Sequence, residues 1–127
     1  MGNAKRFFIS GIGTDVGKTI AAAILVEALR ADYWKPVQAG DLDNTDTMKV
    51  RSLMSNTKSV IHPEIYRFSQ ALSPHAAAAI DKIKINLDEI MLPETSNTLI
   101  IEGAGGLMVP LNDEHLVIDL IEKLNAE

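Results

Sequence analysis

The stretch "ISGIGTDVGKT", residues 9–19, gathers the residue types that hold phosphate. Gly17-Lys18-Thr19 stands between an apolar run and an alanine-rich segment, the order of a strand that passes through a glycine turn into a helix. Backbone N–H groups at such a helix start, together with the helix dipole, favour an anion. Lys18 would reach the β- and γ-phosphates of a nucleotide, and Thr19 would ligate Mg2+. The common form of this loop sets four residues between its two glycines, whereas Gly11 to Gly17 leaves five and Gly13 to Gly17 leaves three. Spacing alone admits a damaged loop, a strand-to-helix turn with an incidental lysine, or another variety of phosphate loop. The strand-and-helix context favours phosphate binding.

Three further positions carry charge next to apolar runs. Lys35, in "WKPVQAG", falls beside a loop that proline forces, where its ammonium can point into the same cleft; taken alone it reads as a solvated lysine on a sheet edge. Asp46, in "NTD", lies just inside an expected helix start, where an acid that compensates the dipole is common. Glu102, in "IIEGAGG", directly follows an apolar strand, a place where a carboxylate can hold a metal without being buried or can be a satisfied strand-end group. Gly103, Gly105 and Gly106 permit close backbone approach. Mg2+ takes oxygen ligands in octahedral geometry, often carboxylates with substrate phosphates, and Thr19, Asp46 and Glu102 are the chemically suitable set. His75 at a helix start reads as packing or capping, and His62 and His115 are isolated. Ser10 and Ser73 lack the nucleophile elbow of a hydrolase.

The elements that must position these residues follow from pattern. Strands are expected at 6–10, 33–37, 64–68 and 98–103, each short and apolar or aromatic. Helices are expected at 18–32, 45–55 with Asn44 or Thr45 as N-cap, 73–83 after Ser73-Pro74, 86–92 from a capping box of Asn86 and Glu89, and 116–124. Strands alternating with helices argue for an α/β fold with a parallel sheet, in which ligands sit at the carboxyl ends of strands.

Composition bounds the rest. A length of 127 residues suggests a single domain spanning 1–127. Apolar residues make up 46%, an ordinary globular share. A net charge of −5 without a basic run argues against nucleic-acid binding. The absence of cysteine excludes disulfides and thiolate metal sites. No apolar run approaches the roughly 20 residues that span a bilayer, and Arg6 stands where a myristoylation signal needs Ser or Thr. A cytoplasmic protein is expected.

In this order, "GIGTDVGKT", "WKPVQAG", "NTD", "SPHAAA" and "IEGAGG" resemble the dethiobiotin synthetase family, from Phe7 to about Leu120. The phosphate loop of that family carries five residues between its glycines, so the opening loop resembles a longer variety and not a broken one. The resemblance implies a P-loop NTPase fold, a parallel sheet with helices on both faces. It implies an ATP- and Mg2+-dependent ligase that joins CO2 to 7,8-diaminopelargonic acid and closes the ureido ring, releasing ADP and phosphate. Carried over residue by residue, Gly13, Thr14, Asp15, Val16, Gly17, Lys18 and Thr19 match the nucleotide loop. Asp46 and Glu102 match the magnesium carboxylates, and Lys35 matches a lysine that faces carbamate and γ-phosphate. Gly103 to Gly106, Gly105 among them, and "SPHA" match elements lining the diamine site. A homodimer acting on small-molecule substrates, with no nucleic-acid or membrane partner, is implied as well.

Two departures stand out. Ala39 replaces the Ser or Thr common before the glycine of the "KPV" loop, which removes a hydroxyl from the substrate side. Family chains also continue past residue 127, so the fold is expected to be truncated at its C-terminus, without the adenine-holding segments. Partition-type ATPases, with a second lysine early in the loop, do not match Gly11-Ile12-Gly13. The synthetase-like domain of cobyrinic acid amide synthases and a nucleotide-binding remnant without turnover are the alternatives.

Overall fold

In the computed structural model, which describes residues 4–13 and 17–127, strand β1 (Arg6–Ile9) leads through the glycine loop into helix α1 (Lys18–Leu29). The chain continues through β2 (Asp32–Trp34), β3 (Val37–Ala39), α2 (Asp46–Leu53), β4 (Ile61–His62), β5 (Tyr66–Phe68) and α3 (Pro74–Ile80). A 3-10 turn at Leu87–Glu89, β6 (Leu99–Glu102) and α4 (Val117–Lys123) complete it. The main sheet has the order β1-β6-β2-β4 with every pair parallel, and β3 and β5 form a second, two-stranded parallel sheet. All strands of the main sheet therefore end on the same side.

Side-chain alternation along β2 and β6 builds two cores. Tyr33 and Ile100 pack with Ala22, Val26 and Val50 of α1 and α2. Trp34, Leu99 and Ile101 pack with Ala77 and Ala78 of α3 and with Val117 and Leu120 of α4. Helices thus cover both faces of the sheet, the expected α/β architecture. In α1 the buried residues are Lys18, Ala22 and Val26, spaced by four, so a single inward stripe begins at the phosphate-loop lysine. β1 is half-buried throughout, and its outer edge pairs with Glu127: Phe8 N–H donates to Glu127 O at 2.7 Å and Glu127 N–H to Arg6 O at 2.9 Å.

Three expectations change. The strand expected at 33–37 is two strands, because Lys35-Pro36 interrupts the ladder and proline has no N–H to donate. A short strand at Ile61–His62, unforeseen, pairs beside β2. The helix expected at 86–92 is only the 3-10 turn. Its capping box is diverted: Glu89 accepts from the Tyr66 hydroxyl at 2.5 Å, and Asn86 N–H donates to that same hydroxyl at 3.1 Å. The Asn86 side chain accepts from Asp88 N–H, two residues on, which closes a local turn and does not start a helix. Helix α2 begins as expected, with Thr45 Oγ1 accepting from Met48 N–H at 3.1 Å.

Candidate functional site

The strand ends and two helix starts meet over one cleft of about 620 Å3, lined by Lys18, Thr19, Lys35, Asp46, Glu102 and Gly105 among others. Register explains the meeting. Asp32, Tyr33 and Trp34 lie opposite Leu99, Ile100 and Ile101, and one further step brings Lys35 level with Glu102. Alternation then turns Lys35 and Glu102 to the face of Tyr33 and Ile100, the face that α1 and α2 cover. There the first turn of α1 supplies Thr19 and the first turn of α2 supplies Asp46.

Glu102 is the hub, and it is 1% exposed. Its Oε2 accepts from Thr19 Oγ1 at 3.0 Å and from Lys35 Nζ at 3.3 Å; its Oε1 accepts from the Tyr33 hydroxyl at 2.9 Å. Lys35 Nζ also donates to Asp46 Oδ2, so one buried ammonium bridges two carboxylates. Lys49, one turn along α2, adds a weaker pair to Asp46 Oδ1 at 3.6 Å. Burial pushes the Glu102 carboxyl above the usual carboxylate range, and Asp46's negative charge adds to this against the opposing pull of Lys35 and Tyr33. For Asp46 burial also acts upward, but the Lys35 charge and hydrogen bond outweigh it and hold the carboxyl below its ordinary value. The two acids differ because Asp46 is a fifth exposed and has the nearer ammonium.

At the phosphate loop, Lys18 folds across the cleft mouth, donating to Gly13 O at 2.6 Å and Gly105 O at 3.0 Å. Gly17 caps α1 at φ 92° with no side-chain cap, and the first turn of the helix contributes no acid of its own to oppose an anion. The loop after β6 is tied to the loop after β1 by Leu107 N–H donating to Gly11 O at 3.1 Å. A Cβ on Gly106 would lie 3.0 Å from the Ile12 backbone, so a larger residue there would push the two loops apart by a few tenths of an ångström.

The structure therefore gathers Gly13, Gly17, Lys18, Thr19, Lys35, Asp46, Glu102 and Gly105 around one cleft. Thr14, Asp15 and Val16 lie outside the described residues. Two expectations are corrected. Lys35 is not a solvated edge lysine but is 5% exposed, and Glu102 is buried because Thr19, Tyr33 and Lys35 together satisfy it. His75 is exposed and faces Asp113 at 3.2 Å, away from this cleft. Among the described residues no three His, Cys, Asp or Glu side chains gather as a metal cluster, so a cation here would rest on two carboxylates and a hydroxyl. Tyr33 and the cleft-lining Gln38 were missed. Tyr33 was detectable: it stands two residues before Lys35 and so shares its face.

Among the described residues no helix is long and apolar enough to cross a membrane. The profile of the AAA domain family matches residues 5–127. A protein of Christiangramia forsetii named ATP-dependent dethiobiotin synthetase is 56% identical over 119 residues, covering 94% of this chain and 58% of the relative. A protein of Cytophaga hutchinsonii with the same name is 56% identical over 124 residues, covering 97% of this chain and 60% of the relative. One from Rhodopseudomonas palustris, again with that name, is 46% identical over 120 residues, covering 94% and 57%. The chain thus spans somewhat more than half the length of the curated relatives it matches.

Proposed function

The chain belongs to the AAA domain family, and from that premise we propose that it carries the phosphate and carboxylate end of the active site of an ATP- and Mg2+-dependent dethiobiotin synthetase. The reaction joins CO2 to 7,8-diaminopelargonic acid and closes the ureido ring of dethiobiotin, releasing ADP and phosphate. The observation that carries this reading is the convergence of Lys18, Thr19, Lys35, Asp46 and Glu102, drawn from four separate elements, on one cleft.

The donor set fits a hard divalent cation. Thr19 Oγ1, Asp46 and Glu102 Oε2 are all oxygen, and a cation, the Lys35 ammonium, already lies between the two carboxylates. These three residues would hold Mg2+, whose charge would offset that developing on the transferred phosphoryl group. Gly13 to Gly17 and the open N-terminus of α1 would wrap the phosphates, with Thr14, Asp15 and Val16 in that loop. Lys18, now on two carbonyl oxygens, would exchange them for β- and γ-phosphate oxygens.

One substrate amine adds to CO2 as a carbamate. A carbamate oxygen then attacks the γ-phosphorus and ADP leaves. The second amine attacks the carbamoyl carbon of the resulting anhydride, and phosphate departs as the ring closes. Lys35 would hold the carbamate oxygen in line with the γ-phosphate, the positioning that dominates phosphoryl transfer. Gln38, Ala39, Ser73 and Gly105 line the cleft on the substrate side, and Ala39 contributes no hydroxyl. Residues 1–127 would act as one α/β unit of a cytoplasmic homodimer; α1 leaves Ile20 and Ile24 exposed one turn apart, as an interface would require.

Capture of labelled bicarbonate into acid-stable product tests the proposal, with Mg-ATP and with or without the diamine. Diamine-dependent capture that disappears in Lys18→Ala supports it. ATP binding without diamine-dependent capture would reject the ligase reading, and no ATP binding would reject the nucleotide site itself.

A further inference from the structure

We infer that Tyr33 is a positioning residue for Glu102: its buried hydroxyl decides which carboxylate oxygen is presented to the cleft. The inference rests on the proposed role of Glu102 as a cation ligand. The terminal torsion of a glutamate is broad and nearly two-fold, so the side chain itself does not distinguish its two oxygens. Here they are sharply distinguished. Among the described residues Oε1 meets only the Tyr33 hydroxyl, at 2.9 Å, whereas Oε2 meets Thr19 and Lys35 on the cleft side.

The strand supplies this arrangement. Tyr33 and Lys35 flank Trp34 on the same face of β2, and each donates to one oxygen of the carboxylate on the neighbouring strand. Tyr33 is fully buried, and its ring packs with Ala22, Val26, Val50 and Ile100, so the hydroxyl is held by a rigid apolar wall. On the other side of Glu102 the register places Ile9, whose side chain offers no donor. Without the tyrosine hydroxyl, Oε1 loses this partner and the carboxylate is free to turn both oxygens toward Lys35. Outer partners of this kind fix the orientation of metal ligands, and their loss typically weakens metal binding by about 10–100-fold.

The test compares Mn2+ binding by electron paramagnetic resonance in the chain and in Tyr33→Phe, with a non-hydrolysable ATP analogue present. The phenylalanine keeps the ring and removes only the donor. About tenfold weaker Mn2+ binding is expected, with metal-free binding of the analogue unchanged. In a Glu102→Gln background the same substitution should add no further loss, since Tyr33 acts through that carboxylate. If the unsubstituted chain binds no Mn2+ with the analogue, the nucleotide reading fails. If it binds and Tyr33→Phe binds equally well, the role of Tyr33 is overturned, as it is by an undiminished loss in the Glu102→Gln background. Should Tyr33→Phe not fold, the buried Tyr33 hydroxyl proton of the unsubstituted chain gives the answer by NMR. It should shift when Mg2+ is added to the analogue complex, and a stationary resonance overturns the inference.

Discussion

Lys35→Met removes the ammonium that bridges Asp46 and Glu102 while keeping most of the buried stem. Lys35 Nζ lies 3.3 Å from Glu102 Oε2, a separation worth ~5 kcal/mol of attraction at an effective dielectric of about 20. Burying the lysine offsets part of this, and the 21% exposure of Asp46 screens the second pair. The expected net loss is about 3 kcal/mol at pH 8, the lower end for breaking a buried pair. The loss has a direction in pH. Lys35 lowers both carboxyl pKa values, so its removal raises both, and Glu102 is already raised by burial. A carboxyl whose folded pKa is raised favours the fold most below its ordinary value of 4.5 and loses that contribution as pH rises through the folded value. Asp46, held low in the unsubstituted chain, contributes above its ordinary 3.8 and loses this as pH falls. Between pH 8 and pH 5 the Glu102 term makes the deficit shrink on acidification, and the Asp46 term follows only below 3.8. Urea unfolding at pH 8 and pH 5, followed through Trp34, the single tryptophan, measures it. A deficit equal at the two pH values, larger at pH 5, or below about 1 kcal/mol at pH 8 would refute the reasoning.

Three other outcomes follow from the same geometry. Gly40→Ala places a Cβ 2.5 Å from the Ala71 backbone at φ 73°; a loss of about 3 kcal/mol in urea unfolding is expected from strain and clash, and an unchanged midpoint would show that the loop relaxes freely. Thr45→Ala removes the α2 cap and should cost about 1 kcal/mol. Because Asp46 is the next residue, Mn2+ affinity should also fall, and a stability loss without it would separate the cap from the site. Asp32 accepts from Val60 N–H, Thr95, Asn97 and His62. These bonds outweigh its burial and hold its carboxyl below the ordinary 3.8, so its contribution is present above that value and lost as pH falls. Asp32→Asn should therefore flatten the acid limb of a pH–stability curve, and an unaltered limb would argue otherwise.

Much of the site was legible in the sequence because its residues sit where periodicity changes. Lys18 and Thr19 open a breaker-free helix, Asp46 follows an N-cap threonine, and Glu102 closes an apolar strand. What escaped depended on partners distant in sequence. Asn86 and Glu89 have the spacing of a capping box, but the hydroxyl of Tyr66 on β5 takes both and leaves one 3-10 turn. The burial of Glu102 was misjudged for the same reason, since its neutralising partners come from α1 and β2. Ile61–His62 is too short for alternation to register, and only the exposed edge of β2 makes it a strand.

The break at Lys35-Pro36 joins these two levels. Pro36 cannot donate to the ladder, so β2 ends at Trp34, and the free Pro36 carbonyl instead accepts from Ile65 and Tyr66 N–H at 2.8 and 3.0 Å. The chain thereby leaves the main sheet and starts the second one with β5. That departure makes Lys35 the last residue in line with the sheet, level with Glu102. It also carries Val37–Ala39 and the Gly40 turn across to Ala71 and Leu72, which form the far wall of the cleft. The same two residues that look like an ordinary strand end in the sequence therefore separate the wall that would carry substrate from the wall that would carry phosphate, and leave the buried Lys35 ammonium between them.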